Sequence, residues 1–76
     1  MKSIEERWRE FSARVIPRDA PLIQYHEMRK AFYAGFKSML DADEELTRMT
    51  DEAAIILVDK YYRESQSFAA SLIQER

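Results

Sequence analysis

The sequence lacks cysteine, and it contains one histidine, one glycine and two prolines. Without cysteine, disulfides, thiolate zinc sites, iron–sulfur clusters and a cysteine nucleophile are all excluded. A single histidine excludes a multi-histidine metal centre within one chain, and a single glycine excludes a glycine-rich phosphate-binding loop. We therefore expect no metal and no cofactor. We also predict that the protein is not an enzyme, because no nucleophile–base pair or metal set stands out.

Long apolar runs are missing as well. No stretch is long enough to span a bilayer, and the first residues contain no signal-peptide apolar segment, so we expect a cytoplasmic protein that binds no membrane. A hydrophobic content of 46% and a charged content of 34% are typical of a folded chain. The length of 76 residues predicts one domain, which we place at 1–76.

The scarcity of glycine and proline favours helices over the whole chain, and apolar spacing predicts three of them. We expect an all-α fold with a short, a medium and a long helix, in that order. The first helix is predicted over residues 4–15. Ser3 and Glu6 fit a capping box at its start, and Pro17 ends it because proline disfavours the helical conformation in the preceding residue.

The second helix is predicted over residues 20–40, with Asp19 as its N-cap. The acidic residues 41–45 are interpreted as a link to the third helix. Gly35 costs about 1 kcal/mol relative to alanine in mid-helix, so we expect a neighbouring helix to pass close to it. The most deeply buried stripe of this helix is predicted to be Met28, Phe32, Gly35 and Met39.

The third helix is predicted over residues 50–74, and its segment 53–58 is apolar almost all round. A helix of this kind is usually buried on several sides, which two shorter partners within one chain cannot achieve. We therefore predict that the protein is a homo-oligomer. The predicted oligomer interface contains Trp8, Phe11, Ile55, Ile56, Val58 and Tyr62.

Aromatic and cationic residues alternate along one side of the second helix. Tyr25, Arg29, Tyr33 and Lys37 follow one another at intervals of four residues, and Arg18 lies in the preceding connector. Arginine and lysine can hold phosphate, and a tyrosine ring offers a face on which a base can stack. These five residues are predicted to bind a small anionic nucleotide. The alternative is that the tyrosines are half-buried packing residues whose polar tips the cations cover.

The charge distribution argues against a nucleic-acid partner. The net charge is −2, whereas a protein that coats DNA is normally basic. Residues 1–37 contain eight basic and five acidic side chains, and residues 38–76 contain four basic and nine acidic ones. Only the first part of the chain is therefore expected to attract an anion.

Most of the chain resembles small helical proteins of tailed phages and prophages. The similarity lies in the proline-containing connector at residues 14–21, in Gln24, and in the motifs Glu27-Met28-Arg29 and Ala31-Phe32-Tyr33-Ala34-Gly35. This resemblance implies a protein that acts in the cytosol of a host cell.

The helix layout is also similar to that of the helical anti-CBASS sponge proteins of phages. Pro17 matches the connector proline of that family, and Met28 and Arg29 match its hydrophobic–arginine pair, whereas Val15 and Ile16 stand where the family has tyrosine and histidine. The resemblance implies a helical homo-oligomer that sequesters a nucleotide immune signal, of cyclic oligonucleotide or ADP-ribose type, without cleaving it. We predict this immune-evasion function. The alternative is a protein–protein interaction module that inhibits a host defence protein or assists phage assembly.

Overall fold

The computed structural model describes residues 1–74, and over this range the chain forms three α-helices and no strand. Helix α1 spans Ile4–Val15, α2 spans Leu22–Leu46 and α3 spans Asp51–Gln74. The prediction of an all-α fold with three helices is confirmed. Within residues 1–74, none of the helices has the length and apolar character that crossing a membrane requires.

Helix α1 begins with the predicted capping box. The Glu6 N–H donates to Ser3 Oγ at 3.0 Å, and the Ser3 N–H donates to Glu6 Oε1 at 3.3 Å, so each side chain satisfies the backbone of the other. The helix ends where Ile16 takes an extended conformation with φ −96° and ψ 123°. Because Pro17 follows, Ile16 is excluded from the helical conformation, and the chain turns away.

Helix α2 begins two residues later than predicted, and Asp19 is not its N-cap. The Ala20 N–H donates to the Pro17 carbonyl at 3.1 Å, which closes a turn that contains Asp19. Pro21 then restricts Ala20 to non-helical conformations, so the helix starts at Leu22, after the proline.

Helix α2 also extends beyond the predicted end, because the acidic segment 41–45 is helical and not a link. This segment contains no glycine or proline, and ion pairs at helical spacing stabilise it: Lys37 Nζ lies 3.0 Å from Asp41 Oδ2, and Arg48 Nη2 lies 2.9 Å from Glu44 Oε1. Over the described residues, α2 has 25 residues and α3 has 24, so the second helix, which was predicted to be of medium length, is as long as the third to within one residue.

A short turn joins α2 to α3. The N–H groups of Arg48 and Met49 donate to the carbonyls of Glu45 and Leu46, which ends α2 in a tight turn. The Ala53 N–H then donates to Thr50 Oγ1 at 3.2 Å, so Thr50 caps α3.

The chain divides into two compact units at Asp41. The prediction of a single domain over 1–76 stays a prediction. In the first unit, α1 packs against the first part of α2 through aromatic side chains. Trp8 has 0% of its surface exposed. Its ring centroid lies 6.0 Å from that of Phe11, 5.2 Å from that of Tyr25 and 5.5 Å from that of Phe32. This aromatic cluster is the core of the first unit.

The predicted burial of the α2 stripe is correct only in its first half. Met28 and Phe32 are half-buried, but Met39 is 49% exposed and Gly35 is exposed. Among the described residues, a Cβ atom placed on Gly35 would meet nothing within 4 Å beyond the adjacent backbone of its own helix, so α1, the partner helix in the first unit, does not pass close to it. The reason is that α1, with 12 residues, is only about 18 Å long and cannot cover the later part of α2.

The second unit consists of the end of α2, the turn and α3. Its partly buried side chains include Ala42 and Leu46 of α2 and Ala54, Leu57 and Tyr61 of α3. Of the side chains described, which end at residue 73, none in this unit is fully buried. The large apolar residues of α3 that remain exposed are Ile55, Ile56, Val58, Tyr62, Phe68, Leu72 and Ile73.

Candidate functional site

The predicted nucleotide site centres on the α2 row, which consists of Tyr25, Arg29, Tyr33 and Lys37. All four residues belong to α2, and α1 packs alongside the same part of the helix. Each of the four makes a contact within its own chain. These contacts show what the row already binds and what remains accessible to a ligand.

Tyr25, the first member of the α2 row, belongs to the aromatic core. The Trp8 Nε1–H donates to the Tyr25 hydroxyl at 3.0 Å, and the two rings meet edge to face with an interplanar angle of 65°. This hydrogen bond satisfies the indole N–H of the fully buried tryptophan. Tyr25 therefore has a structural role whether or not it also contacts a ligand.

Arg29 and Tyr33 converge on one carboxylate of α1. Glu5 Oε2 accepts a hydrogen bond from Arg29 Nη2 at 2.7 Å and a second from the Tyr33 hydroxyl at 2.6 Å. The Arg29 guanidinium also lies 5.4 Å from the centre of the Tyr33 ring, and Arg9 Nε lies 3.5 Å from Glu5 Oε1. We call Glu5, Arg9, Arg29 and Tyr33 the Glu5 cluster.

These contacts shift the protonation equilibria of the Glu5 cluster. The hydrogen bond from Tyr33, followed by that from Arg29, lowers the pKa of Glu5 below its ordinary value of 4.5. The same hydrogen bond to Glu5 raises the pKa of Tyr33 above 10.0, and the hydrogen bond to Glu5 also raises the pKa of Arg29. Around neutral pH, Glu5 is therefore a carboxylate that accepts hydrogen bonds from the neutral phenol of Tyr33 and the guanidinium of Arg29.

Glu5 is the residue of this site that the sequence analysis missed. It follows Ile4, the first member of the apolar stripe of α1, and it has Arg9 four residues later on the same side of the helix. This spacing could have identified a charged flank on α1. The contact with Arg29 and Tyr33, 24 and 28 residues away, depends on how the two helices cross.

Lys37 and Arg18 are not among the described residues that pair with Glu5. Lys37 pairs with Asp41 on α2, and its side chain is 75% exposed. Arg18 is exposed in the turn that precedes α2. Of the five predicted ligand-binding residues, Arg29 and Tyr33 share a contact with Glu5, and a nucleotide site that contains all five stays a prediction.

Two open grooves flank the α1–α2 contact. The first has a volume of about 610 Å³, and the cations at its surface are accompanied by Glu27, which pairs with Lys30 at 3.2 Å. The second has a volume of about 470 Å³, and none of the described residues that line it is acidic. The first groove is lined by Ile23, His26, Glu27, Arg29, Lys30 and Tyr33. The second is lined by Arg9, Ser12, Ala13, Ile16, Pro17, Arg18, Ala20, Leu22 and Tyr25.

The predicted oligomer-interface residues also separate into two groups. Trp8 is fully enclosed by Phe11, Tyr25 and Phe32, so it is a core residue and not a surface contact, which corrects its predicted role. Phe11 is half-buried beside it. The four residues on α3 remain accessible, and these are Ile55, Ile56, Val58 and Tyr62.

The described side chains can be compared with what a metal ion, an oxyanion or another protein would require. Over this part of the chain, no three histidine, aspartate or glutamate residues come close enough together to hold a metal ion. The arginines and the lysine at the grooves can hold an oxyanion, and the apolar surface of α3 can pack against another protein. Comparison of the chain with protein-family models, with curated proteins and with solved structures finds no match.

Proposed function

We propose that this protein is a protein–protein interaction module that assembles with itself through α3. The observation behind the proposal is the exposed apolar surface of that helix. Ile55 is 69% exposed, Tyr62 67% and Phe68 65%, although isoleucine and phenylalanine are among the residues that are most often fully buried. Apolar surface gathered on one helix marks an interaction site more often than isolated apolar residues do.

The small core of the chain supports the same proposal. Among the residues whose burial is described, Trp8 is the one apolar side chain that is fully buried. Chains of this length often need a partner because they bury too little surface alone. Burial of apolar surface contributes about 25 cal/mol per Å², so association through α3 would add the stabilisation that the isolated chain lacks.

The biological setting comes from the resemblance to phage proteins. In that setting, a self-assembling module would present several copies of the first unit to a target. The target would be a host defence protein that the module inhibits, or a phage protein whose assembly it assists. The side chains at the grooves and on α3 offer hydrogen bonds and apolar contacts, which are the interactions by which a module recognises a target without catalysing a reaction.

Light scattering coupled to size exclusion tests self-association. We expect the wild-type chain to be an oligomer at micromolar concentration and Val58→Asp to dissociate it, because a carboxylate would be buried without a partner. Ser67→Asp is the matched control, since it adds the same charge to an exposed polar position of α3. A wild-type chain that stays monomeric and helical at high micromolar concentration contradicts the proposal.

Sequestration of a small anionic nucleotide without cleavage is the second candidate function. Two observations favour it. Arg29 and Tyr33 already hold the carboxylate of Glu5, which shows that their geometry suits an oxyanion. The second groove contains Arg9 and Arg18, and its described lining includes no acidic residue.

The two grooves are not equivalent for such a ligand. At Arg29, a phosphate would have to displace Glu5, which belongs to the same chain and therefore competes at high effective concentration. At Arg18, a phosphate would meet an exposed arginine at an open groove. Under this hypothesis, the phosphate binds first beside Arg18 in the second groove. Arg29 can contact the ligand only after it has released Glu5.

Calorimetry against cyclic dinucleotides, cyclic trinucleotides and ADP-ribose derivatives tests this candidate. We expect Arg18→Ala and Arg29→Ala each to weaken binding by one to two decades, at roughly 1.4 kcal/mol per decade. Lys60→Ala is the control, because Lys60 is an exposed cation of α3 that lines neither groove. The candidate fails if no compound binds more tightly than about 10 µM, which corresponds to near 7 kcal/mol.

A further inference from the structure

We propose that α3 pairs with the α3 helix of a second copy of the chain in antiparallel orientation. This inference rests on the proposed self-assembly and specifies the partner, the residues and the direction. The pairing surface is a row of α3 residues at alternating intervals of three and four, the spacing of a coiled-coil contact. We call it the α3 seam, and it consists of Ile55, Val58, Tyr62, Ser65, Ala69 and Leu72.

The α3 seam is accessible along its whole length. Val58 is 45% exposed and Leu72 48%, and the other members are also exposed. The partly buried residues Ala54, Leu57 and Tyr61 each lie one position before a seam residue. They therefore occupy the adjoining face of α3, so the helix can keep its contacts within the chain while the seam contacts another copy.

Side-chain size selects the antiparallel direction. In an antiparallel pair, each layer of the contact combines one residue from the first half of the seam with one from the second half. Tyr62 then faces Ser65 of the partner subunit, and Val58 faces Ala69 of the partner subunit. Large side chains thus meet small ones, and the remaining layer pairs Ile55 with Leu72 of the partner subunit.

A parallel pair would bring identical residues together. Tyr62 would meet its own counterpart and overfill one layer, whereas Ser65 and Ala69 would each meet a small counterpart and leave space. Overfilled and underfilled layers both destabilise a packed contact, because protein interiors are close-packed.

Ser65 can enter an apolar contact without leaving its hydroxyl unpaired. Its Oγ donates to the Tyr61 carbonyl at 2.9 Å, within the same helix. A buried hydroxyl without a partner would destabilise the pair, and this hydrogen bond avoids that cost. Ser65 is therefore compatible with burial in the seam.

The charges of α3 favour the same direction. Asp51, Glu52 and Asp59 lie in the first half of the helix, where Lys60 is the one basic residue. A parallel pair would place these acidic halves side by side, and it would also align the two helix dipoles. An antiparallel pair separates the acidic halves and opposes the dipoles.

Disulfide cross-linking distinguishes the two directions, and the absence of native cysteine makes single-cysteine variants unambiguous. We expect Val58→Cys mixed with Ala69→Cys to form a cross-linked heterodimer under mild oxidation. Each variant alone should cross-link poorly, because in an antiparallel pair identical positions lie about 16 Å apart along the axis, beyond the reach of a disulfide.

A size exchange provides the second measurement. Tyr62→Ser and Ser65→Tyr should each weaken the dimer at least about tenfold, or 1.4 kcal/mol, as measured by analytical ultracentrifugation. The double variant Tyr62→Ser/Ser65→Tyr should recover most of the loss, because it restores one large and one small residue in each of those layers. Circular dichroism verifies that every variant is helical.

The outcomes separate this inference from the proposed function. If each single variant cross-links with itself and the mixture yields no cross-linked heterodimer, the pair is parallel. This result would overturn the antiparallel arrangement but leave the proposed self-assembly in place. An oligomer that is unaffected by the size exchange would place the contact elsewhere on the chain and overturn the α3 seam. A wild-type chain that remains monomeric would overturn both the inference and the proposed self-assembly.

Discussion

Glu5 connects α1 to α2 through a carboxylate that is two-thirds covered, with 33% of its side chain exposed. Its partners Arg29 and Tyr33 were predicted as ligand contacts, and in the structure they bind a side chain of their own protein. The energy of such a partly exposed ion pair is reduced by solvent screening. The contribution of Glu5 is therefore best measured through its pH dependence.

Substitution of Glu5 should remove part of the acid sensitivity of the first unit. Because the folded pKa of Glu5 is lowered below 4.5, its stabilisation is present above that pH and is lost as the pH falls through the folded pKa. Because the pKa of Tyr33 is raised above 10.0, its contribution is present below that pH and is lost on the alkaline side. Thermal unfolding of Glu5→Gln should thus depend less on pH at both limits than that of the wild type.

Glu10→Gln is the comparison for this experiment. The pKa of Glu10 is also lowered, through its hydrogen bond with Lys2, but this pair joins the start of the chain to α1 and leaves α2 untouched. Its effect should be confined to the acid side. If wild type and Glu5→Gln lose stability in parallel from roughly pH 7 to 3, the Glu5 cluster contributes nothing to the contact.

Some of this site could be predicted from the sequence. The spacing of Tyr25, Arg29 and Tyr33 predicts that they share one side of a helix, and the structure places the two tyrosines half-buried and in contact with α1. Half-buried tyrosines that pack against another helix are what the alternative interpretation of the α2 row describes. The identity of the partner residue Glu5 depends on the crossing of two helices, which periodicity within one helix does not specify.

At the scale of the element, α2 shows which sequence signals define a helix and which do not. Pro21 restricts Ala20 to non-helical conformations, and α2 therefore begins at Leu22, two residues after the predicted start. The acidic segment 41–45 was interpreted as a link because of its charge. Charge alone does not end a helix when glycine and proline are absent and ion pairs lie four residues apart.

Gly35→Ala should stabilise α2. Glycine in mid-helix costs about 1 kcal/mol relative to alanine, and the added Cβ would meet no atom within 4 Å. Urea denaturation should therefore show an increase of that size in the free energy of unfolding. Ala34→Gly is the reciprocal control and should lower it by a similar amount, since Ala34 is exposed in the same part of α2. A decrease on Gly35→Ala would mean that another copy or a target packs closely against Gly35.

At the scale of the whole molecule, the helix count and the apolar character of α3 could be predicted from composition and spacing. The apolar segment 53–58 and the residues after it predict more apolar surface than the chain can cover, and the exposure of Ile55 and Tyr62 agrees with that expectation. The sequence could not separate Trp8, which belongs to the core of the first unit, from the α3 residues that were predicted with it as an interface. All of them lie on apolar stripes, and the burial of Trp8 depends on the packing of α1 on α2, which spacing within one helix does not specify.

Trp8 gives the chain a built-in optical probe. It is the only tryptophan, and its indole is enclosed between α1 and α2, so its emission reports the local environment of the first unit. Far-UV ellipticity instead averages over all three helices, of which α3 contributes 24 residues. A red shift of the emission at a lower temperature than the loss of ellipticity would be the signature of a first unit that opens while α3 is still helical.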